Sequence, residues 1–250
     1  MRLLLHADDL GLSPEVDDAI LEALDQGWCS SASVLANGPS FVQAVAGLRR
    51  LSGLDLGLHC NLSEFAPLTS SPALHSLFPE GQMGPAAMRA GPAQAEAILA
   101  EWRAQLHRLQ QAGLTITHLD SHQHLHHQPV FLDALARLAR EAGISRVRGL
   151  AGWRTGVGRL RGALQAGRAR RFRAALSDRG LRSTDGFASV GVFQARSAEI
   201  AQEIGPGSLE LMCHPGNPAH PVYLRECQWL AARGWRELPF PVEIVSWRDL

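Results

Sequence analysis

Leu3-Leu-Leu-His-Ala-Asp8-Asp9-Leu-Gly11, followed by Leu12-Ser13-Pro14, opens the chain with a short apolar run that ends on two adjacent carboxylates. Leu3 to Ala7 reads as a strand. Ser13 suits an N-cap and Pro14 suits the first helical position, where an amide proton has no partner to lose, so the spacing predicts a helix over Pro14 to Gln26 stopped by Gly27. Ser31 to Leu35 is again short and apolar, the next strand. A strand, a helix and a strand in succession form the repeating unit of a parallel sheet.

The same rhythm continues outward. Phe41 to Leu51 reads as a helix, Leu54 to His59 as a strand, Ala93 to Ala112 as a long helix closed by Gly113, Ile116 to Asp120 as a strand and Pro129 to Ala142 as a helix. Arg146 to Arg148, a segment near Phe187, Leu209 to His214 and Val242 to Trp247 complete the strands, with a helix at Val222 to Ala232. Six to eight parallel strands with intervening helices fit an α/β barrel better than an open sheet. There is no internal repeat. Ser63 to Pro92, rich in Pro, Gly and Ser, is too long for a plain connection and reads as a loop insertion beside a site, within a single domain over residues 1–250.

Composition removes several chemistries. The formal net charge is zero, which gives no reason to expect nucleic acid as a partner. Every basic residue is arginine, so Schiff-base and P-loop chemistry, which need a lysine amine, are out. Arg159 to Arg182 carries eight arginines and one aspartate and reads as a solvated helical face. Cys29, Cys60, Cys213 and Cys227 are too scattered for a thiolate metal site and read as reduced thiols. With no leader-like apolar region and no spanning segment, the expectation is a cytoplasmic protein with no membrane span.

Five of the eleven histidines crowd into His118-Leu-Asp-Ser-His122-Gln-His124-Leu-His126-His127. Imidazoles bring two polar nitrogens that a packed core must satisfy, whereas a metal site uses them. Asp8 and Asp9 follow the first strand, His59 ends the third, Asp120 and His122 follow the fourth, and His214 ends a late one. In a parallel barrel these carboxyl ends share one face. Adjacent aspartates on an extended backbone point apart, so one can ligate a metal while the other faces substrate. By alternation His122, His124 and His126 share a face of an extended segment, with one or two as ligands. Asp120 can fix the tautomer of a ligating imidazole. Cys60 and Cys213, each beside an inward histidine, should pack outward against helices.

Ala7-Asp8-Asp9-Leu-Gly11-Leu-Ser13, Gly57-Leu-His59, Thr117-His-Leu-Asp120-Ser-His122-Gln-His124-Leu-His126 and Met212-Cys-His214-Pro-Gly216 resemble, in order, the signatures of YdjC-like carbohydrate deacetylases, including chitooligosaccharide and hopanoid-associated members. The resemblance runs from Arg2 to Trp247. It implies a distorted (β/α) TIM-like barrel, often a homodimer, that carries one divalent metal ion and removes acetyl groups from N-acetylated sugars or oligosaccharides. Carried over residue by residue, it makes Asp9, His59 and His122 the metal ligands, Asp8 the general base, and His214 the acid or oxyanion-stabilising partner. Asp120, His124, His126 and Asn61 are candidates for contacts that support the ligands or bind substrate. His6 stands where many members have asparagine, and Gln123 and the Ser63 to Pro92 loop are further departures.

The expected reaction is amide hydrolysis by activated water. Asp8 takes the water proton and His214 protonates the leaving amine. Mg or Zn leads the metal candidates, with Ni, Co and Fe compatible with two imidazoles and a carboxylate. Two alternatives are a non-haem iron oxygenase built on the same triad, and a non-catalytic metal- or sugar-binding protein on the same fold.

Overall fold

Arg2–Leu10 forms β1, the strand around which the sheet is organised. Downstream come α1 (Pro14–Asp25), β2 (Ser31–Val34), α2 (Phe41–Leu48), β3 (Leu56–Cys60), α3 (Pro72–Leu77), α4 (Pro92–Gln111), β4 (Ile116–Ser121) and α5 (Pro129–Ala142). They are followed by β5 (Arg146–Val147), α6 (Arg159–Ser177), β6 (Gly186–Ser189), α7 (Val190–Ile204), β7 (Ser208–Cys213), α8 (Pro221–Ala231) and β8 (Glu243–Val245). This computed structural model describes residues 1–78, 91–153, 155–156 and 159–250. Part of the anticipated Ser63 to Pro92 insertion, residues 79–90, lies outside them. Its described part is not plain loop, since it contains α3.

All pairings are parallel, in the order β5-β4-β3-β2-β1-β7-β6. One edge of β1 is shared: β8 pairs with Arg2 to Leu4 and β2 with His6 to Leu10. The sheet curls until its ends meet through Arg182, which bridges to Arg146 just upstream of β6. The result is the distorted α/β barrel, with closure made by a bridge instead of a full ladder. Among the described residues no helix is long and apolar enough to cross a membrane.

Strand alternation divides the side chains between two environments. Leu3, Leu5 and Ala7 face outward into the main apolar core with the helices, each leucine contributing roughly 1.5–3 kcal/mol by burial. Cys60 and Cys213 join that core, fully buried. Leu4 instead packs with Val245 and Trp247. The closing strand is shorter than Val242 to Trp247, because Trp247 leaves β8 for a 3₁₀ turn. There its ring stacks on His118 at a centroid distance of 5.0 Å. Gly57 makes room for this: a Cβ there would lie 2.3 Å from His118 Nε2.

Ser13 caps α1 as expected, its side chain accepting from Val16 N–H. The chain between β1 and α1 is further pinned by buried Asp17, which accepts from Gly11 N at 2.6 Å and from Ser40 Oγ. That pin fixes the carboxyl end of β1, where the two aspartates sit.

Candidate functional site

The register of β1 slips between Ala7 and Leu10, and Asp9 takes a left-handed φ of 74°. Asp tolerates this conformation better than most residues, and such local strain concentrates at functional positions. The slip sends the two carboxylates apart. Asp9 Oδ1 lies 3.3 Å from His59 Nε2 and 3.0 Å from His122 Nδ1, so β1, β3 and the turn after β4 deliver one oxygen and two nitrogens to one point. These three donor atoms all fall within 4.8 Å of one another.

Electrostatics at this point favour a cation. Burial would lower the His59 pKa, but Asp120 and Asp8 outweigh it and hold the group up at about 10. Burial also opposes a charged His122, yet the hydrogen bond to Asp9 and the Glu64 carboxylate beside it raise it to about 9. Asp9, despite burial, is held well below the usual carboxylate range by the same two imidazoles. His59 is oriented from behind: its Nδ1 donates to Asp120 Oδ1 at 2.8 Å, and Ser33 Oγ donates to Asp120 Oδ2 at 3.1 Å. That leaves Nε2 directed at Asp9, the arrangement that fixes a ligating tautomer.

Asp8 turns into the barrel. Its two oxygens accept from Arg148 Nη1 and Nη2 at 2.7 and 2.6 Å. Arg148 also reaches Asp120 Oδ2 at 2.9 Å and donates through Nε to Glu210 Oε1 at 2.7 Å. All four groups are buried. Burial pushes the Asp8 pKa up, but Arg148 more than compensates and keeps it lowered, so Asp8 is a carboxylate. Glu210 goes the other way, raised by burial, with Oε2 unpartnered. His6, Asp8 and Asp120 also cluster with metal-like spacing, but there the guanidinium already supplies the cation.

A family model described as YdjC-like protein matches residues 2–238. The chain belongs to the YdjC-like family. Curated relatives include a carbohydrate deacetylase from Mus musculus, 34% identical over 254 residues, spanning 88% of this chain and 80% of that protein. Another, from Halalkalibacterium halodurans, is 28% identical over 222 residues, spanning 86% and 85%. A crystal structure of a candidate cellobiose-phosphate cleavage protein from Enterococcus faecalis superposes with a TM-score of 0.74 at 21% identity, covering 99% of this chain and 98% of that one. At that identity it speaks for the fold alone.

Within this YdjC-like barrel the histidine stretch departs from the extended segment anticipated. His122–His127 is a tight 3₁₀ turn in which Gln123 and His124 adopt left-handed conformations, φ 52° and 54°, so alternation no longer places His122, His124 and His126 on one face. His126 is fully buried, receives Ser121 Oγ at Nδ1 (2.6 Å) and donates from Nε2 to the Arg148 carbonyl at 3.2 Å. His127 donates to the Gly149 carbonyl at 3.2 Å. These two therefore hold the backbone that presents Arg148, and burial lowers both pKa values, that of His127 to about 4. His124 stacks on His127 and meets the Phe187 ring edge-on at 5.5 Å, with Nδ1 buried and unpartnered.

His214 follows β7 directly, its ring 4.3 Å from that of Tyr223 and its Nδ1 unpartnered. Burial lowers its pKa, and it feels the charges of Asp8 and Asp9. Asn61 turns away from the donors to brace the loop after β3, accepting from Ser63 and Glu64 N–H at 3.1 and 3.2 Å. A cleft of about 960 Å³ lined by Asn37, Leu62, Phe65, Thr69 and His75 opens beside that loop.

Sequence reasoning missed Arg148, Glu210 and Glu64. Glu210 had a signal: in Ser208-Leu-Glu-Leu-Met-Cys213 the acid alternates with leucines and so occupies an inward position.

Proposed function

We propose that this protein is a divalent-metal-dependent hydrolase that removes the acetyl group from an N-acetylated sugar or oligosaccharide. The observation that carries the reading is the convergence of Asp9, His59 and His122 beside a second, separately held carboxylate, Asp8, in a family whose curated relatives are carbohydrate deacetylases. Two imidazoles and one carboxylate suit a divalent ion with open positions, Mg or Zn foremost and Ni, Co or Fe also compatible. Asp9, His59 and His122 would hold such an ion, which would supply a Lewis acid for the amide carbonyl and for water.

The protein's own residues do the rest. Asp8, kept ionised by Arg148, accepts a proton from the attacking water. His214, with a free Nδ1 at the end of β7, stabilises the developing oxyanion and passes on to the departing sugar amine the proton that Asp8 has taken from water. Asp120 and Ser33 keep His59 in register throughout. The cleft beside Phe65 gives room for substrate beyond the acetyl group. Asp8, adjacent to the triad and free of it, favours hydrolysis over oxygen chemistry.

The test is acetate release from a panel of N-acetylated sugars by metal-loaded protein. Activity should vanish with a chelator and return on adding metal. His122→Ala should lose both metal and activity, whereas His127→Ala should keep its metal. Acetate release insensitive to chelation, or metal loss in both variants alike, overturns the reading.

A further inference from the structure

Glu64 has no part in the reaction proposed above, yet the loop carrying it is built around it. Its carbonyl oxygen accepts from Asn61 Nδ2 at 2.8 Å and from Asn37 Nδ2 at 3.3 Å, and its N–H donates to Asn61 Oδ1 at 3.2 Å. Asn61 Nδ2 also donates to Asn37 Oδ1 at 3.0 Å, so two buried asparagines grip this one residue and each other. Beneath them Gln105 locks Asn61 through its own backbone, accepting from Asn61 N at 3.0 Å and donating to Asn61 O at 2.6 Å. Phe65, next in the chain, is held left-handed at φ 63°, a conformation that persists only where its surroundings impose it.

The side chain held this way points at the far nitrogen of His122. Glu64 Oε1 lies 3.2 Å from Nε2, while Nδ1 of the same ring faces Asp9. The contact has ion-pair distance but is off the hydrogen-bond line, so a small rotation of ring or carboxylate completes it. A carboxylate behind the nitrogen opposite the donor set is the relation Asp120 bears to His59, with the ring reversed: Asp120 meets Nδ1 of His59, leaving Nε2 toward Asp9.

We infer that Glu64 is a positioning residue for His122, accepting its Nε2–H and so presenting Nδ1 as the metal-facing nitrogen. The two histidines of the site then offer opposite ring nitrogens, one braced by the sheet through Asp120 and the other by the Asn37–Asn61 loop through Glu64. Partners of this kind tune metal affinity by about 10- to 100-fold. The inference rests on the metal-binding reading of Asp9, His59 and His122, and the experiment separates the two.

Zinc affinity would be measured by chelator competition on the wild-type, Asp9→Ala, Glu64→Ala and Glu64→Gln proteins, each first checked for folding by circular dichroism. Long-range proton–nitrogen correlation spectra of the zinc-loaded wild type would identify the protonated nitrogen of each histidine. Asp9→Ala should abolish binding, Glu64→Ala should weaken it about 10- to 100-fold, and Glu64→Gln, whose side-chain oxygen still accepts, should retain most of it. The spectra should show a proton on Nε2 of His122 and on Nδ1 of His59. Unchanged affinity in Glu64→Ala, or a proton on Nδ1 of His122, overturns the inference while leaving the metal site standing. Loss of binding in both Glu64 variants as complete as in Asp9→Ala would make Glu64 a ligand and overturn it too. A wild type that binds no zinc or other divalent ion overturns the metal reading and this inference with it.

Discussion

His59 and His122 face the same carboxylate from two differently built walls. The wall behind His59 is made of strand positions: Asp8 on β1, Ser33 on β2, Asp120 on β4, Glu210 on β7 and Arg148 just after β5, all buried. They are held by one another's charges. The wall behind His122 is made of turns: Gln123 and His124 in left-handed conformations, Glu64 and Phe65 on the loop after β3, and His214 where β7 ends. Its parts are held by side chains gripping backbone, Asn61 on Glu64 and His126 and His127 on the carbonyls of Arg148 and Gly149. Disturbing the strand wall should therefore cost function and stability together, because removing one charge strands its partners. Disturbing the turn wall should cost function with less effect on the fold.

The largest expected effect comes from the strand wall. Asp8→Asn keeps the size and one acceptor for Arg148 but removes the base, and it should reduce acetate release by about two to four orders of magnitude. Metal content, measured by elemental analysis, should be unchanged because Asp9 and not Asp8 faces the imidazoles. Loss of metal with activity would mean that Asp8 serves the network and not the proton.

The two walls were unequally legible in the sequence. Strands, helix order and the placement of the aspartate pair and His59 at strand carboxyl ends follow from periodicity and capping, though a register slip and a left-handed Asp9, which no alternation shows, set where the two carboxylates point. Even there, Arg148 was obscured because β5 is only two residues long and gives no period to count. The turn after β4 was misjudged for a physical reason. An extended reading assumes that φ stays negative, and Gln123 and His124 do not obey it, so the even-numbered histidines part company. Glu64 gave no sign at all, because its role depends on Asn37, distant in sequence, and on a backbone reversal at Phe65.

The next largest effect tests whether charge holds the strand wall. Arg148→Met removes the guanidinium that pairs with Asp8, Asp120 and Glu210 and leaves these carboxylates buried without it. Breaking such a buried arrangement from one side costs about 3–5 kcal/mol. For a chain of this size that lowers the melting temperature by roughly 10 °C. Thermal denaturation at neutral pH measures it. A shift of only a degree or two would show that the strand wall, like the turn wall, is held by packing and backbone.

The smallest effect concerns Glu226 on α8, which lies under the turn wall, accepting from Gly191 N at 3.0 Å and within reach of the His214 backbone N–H. Burial raises its pKa to about 7, against a partial offset from the Gly191 N–H. A carboxyl whose folded pKa exceeds its unfolded one binds its proton more tightly when folded, so its stabilisation is full below about pH 4 and is lost as pH rises to the folded value. Above that, the fold must bury a charge. Glu226→Gln keeps the Gly191 contact and never ionises, so relative to wild type it should gain roughly 2 kcal/mol of stability between pH 5 and pH 8, after allowance for solvent screening. Denaturant unfolding at the two pH values measures the gap. A gap independent of pH would mean that Glu226 is ionised throughout and that the turn carrying His214 is fastened by charge after all, which would erase the distinction between the walls at the point nearest the proposed acid.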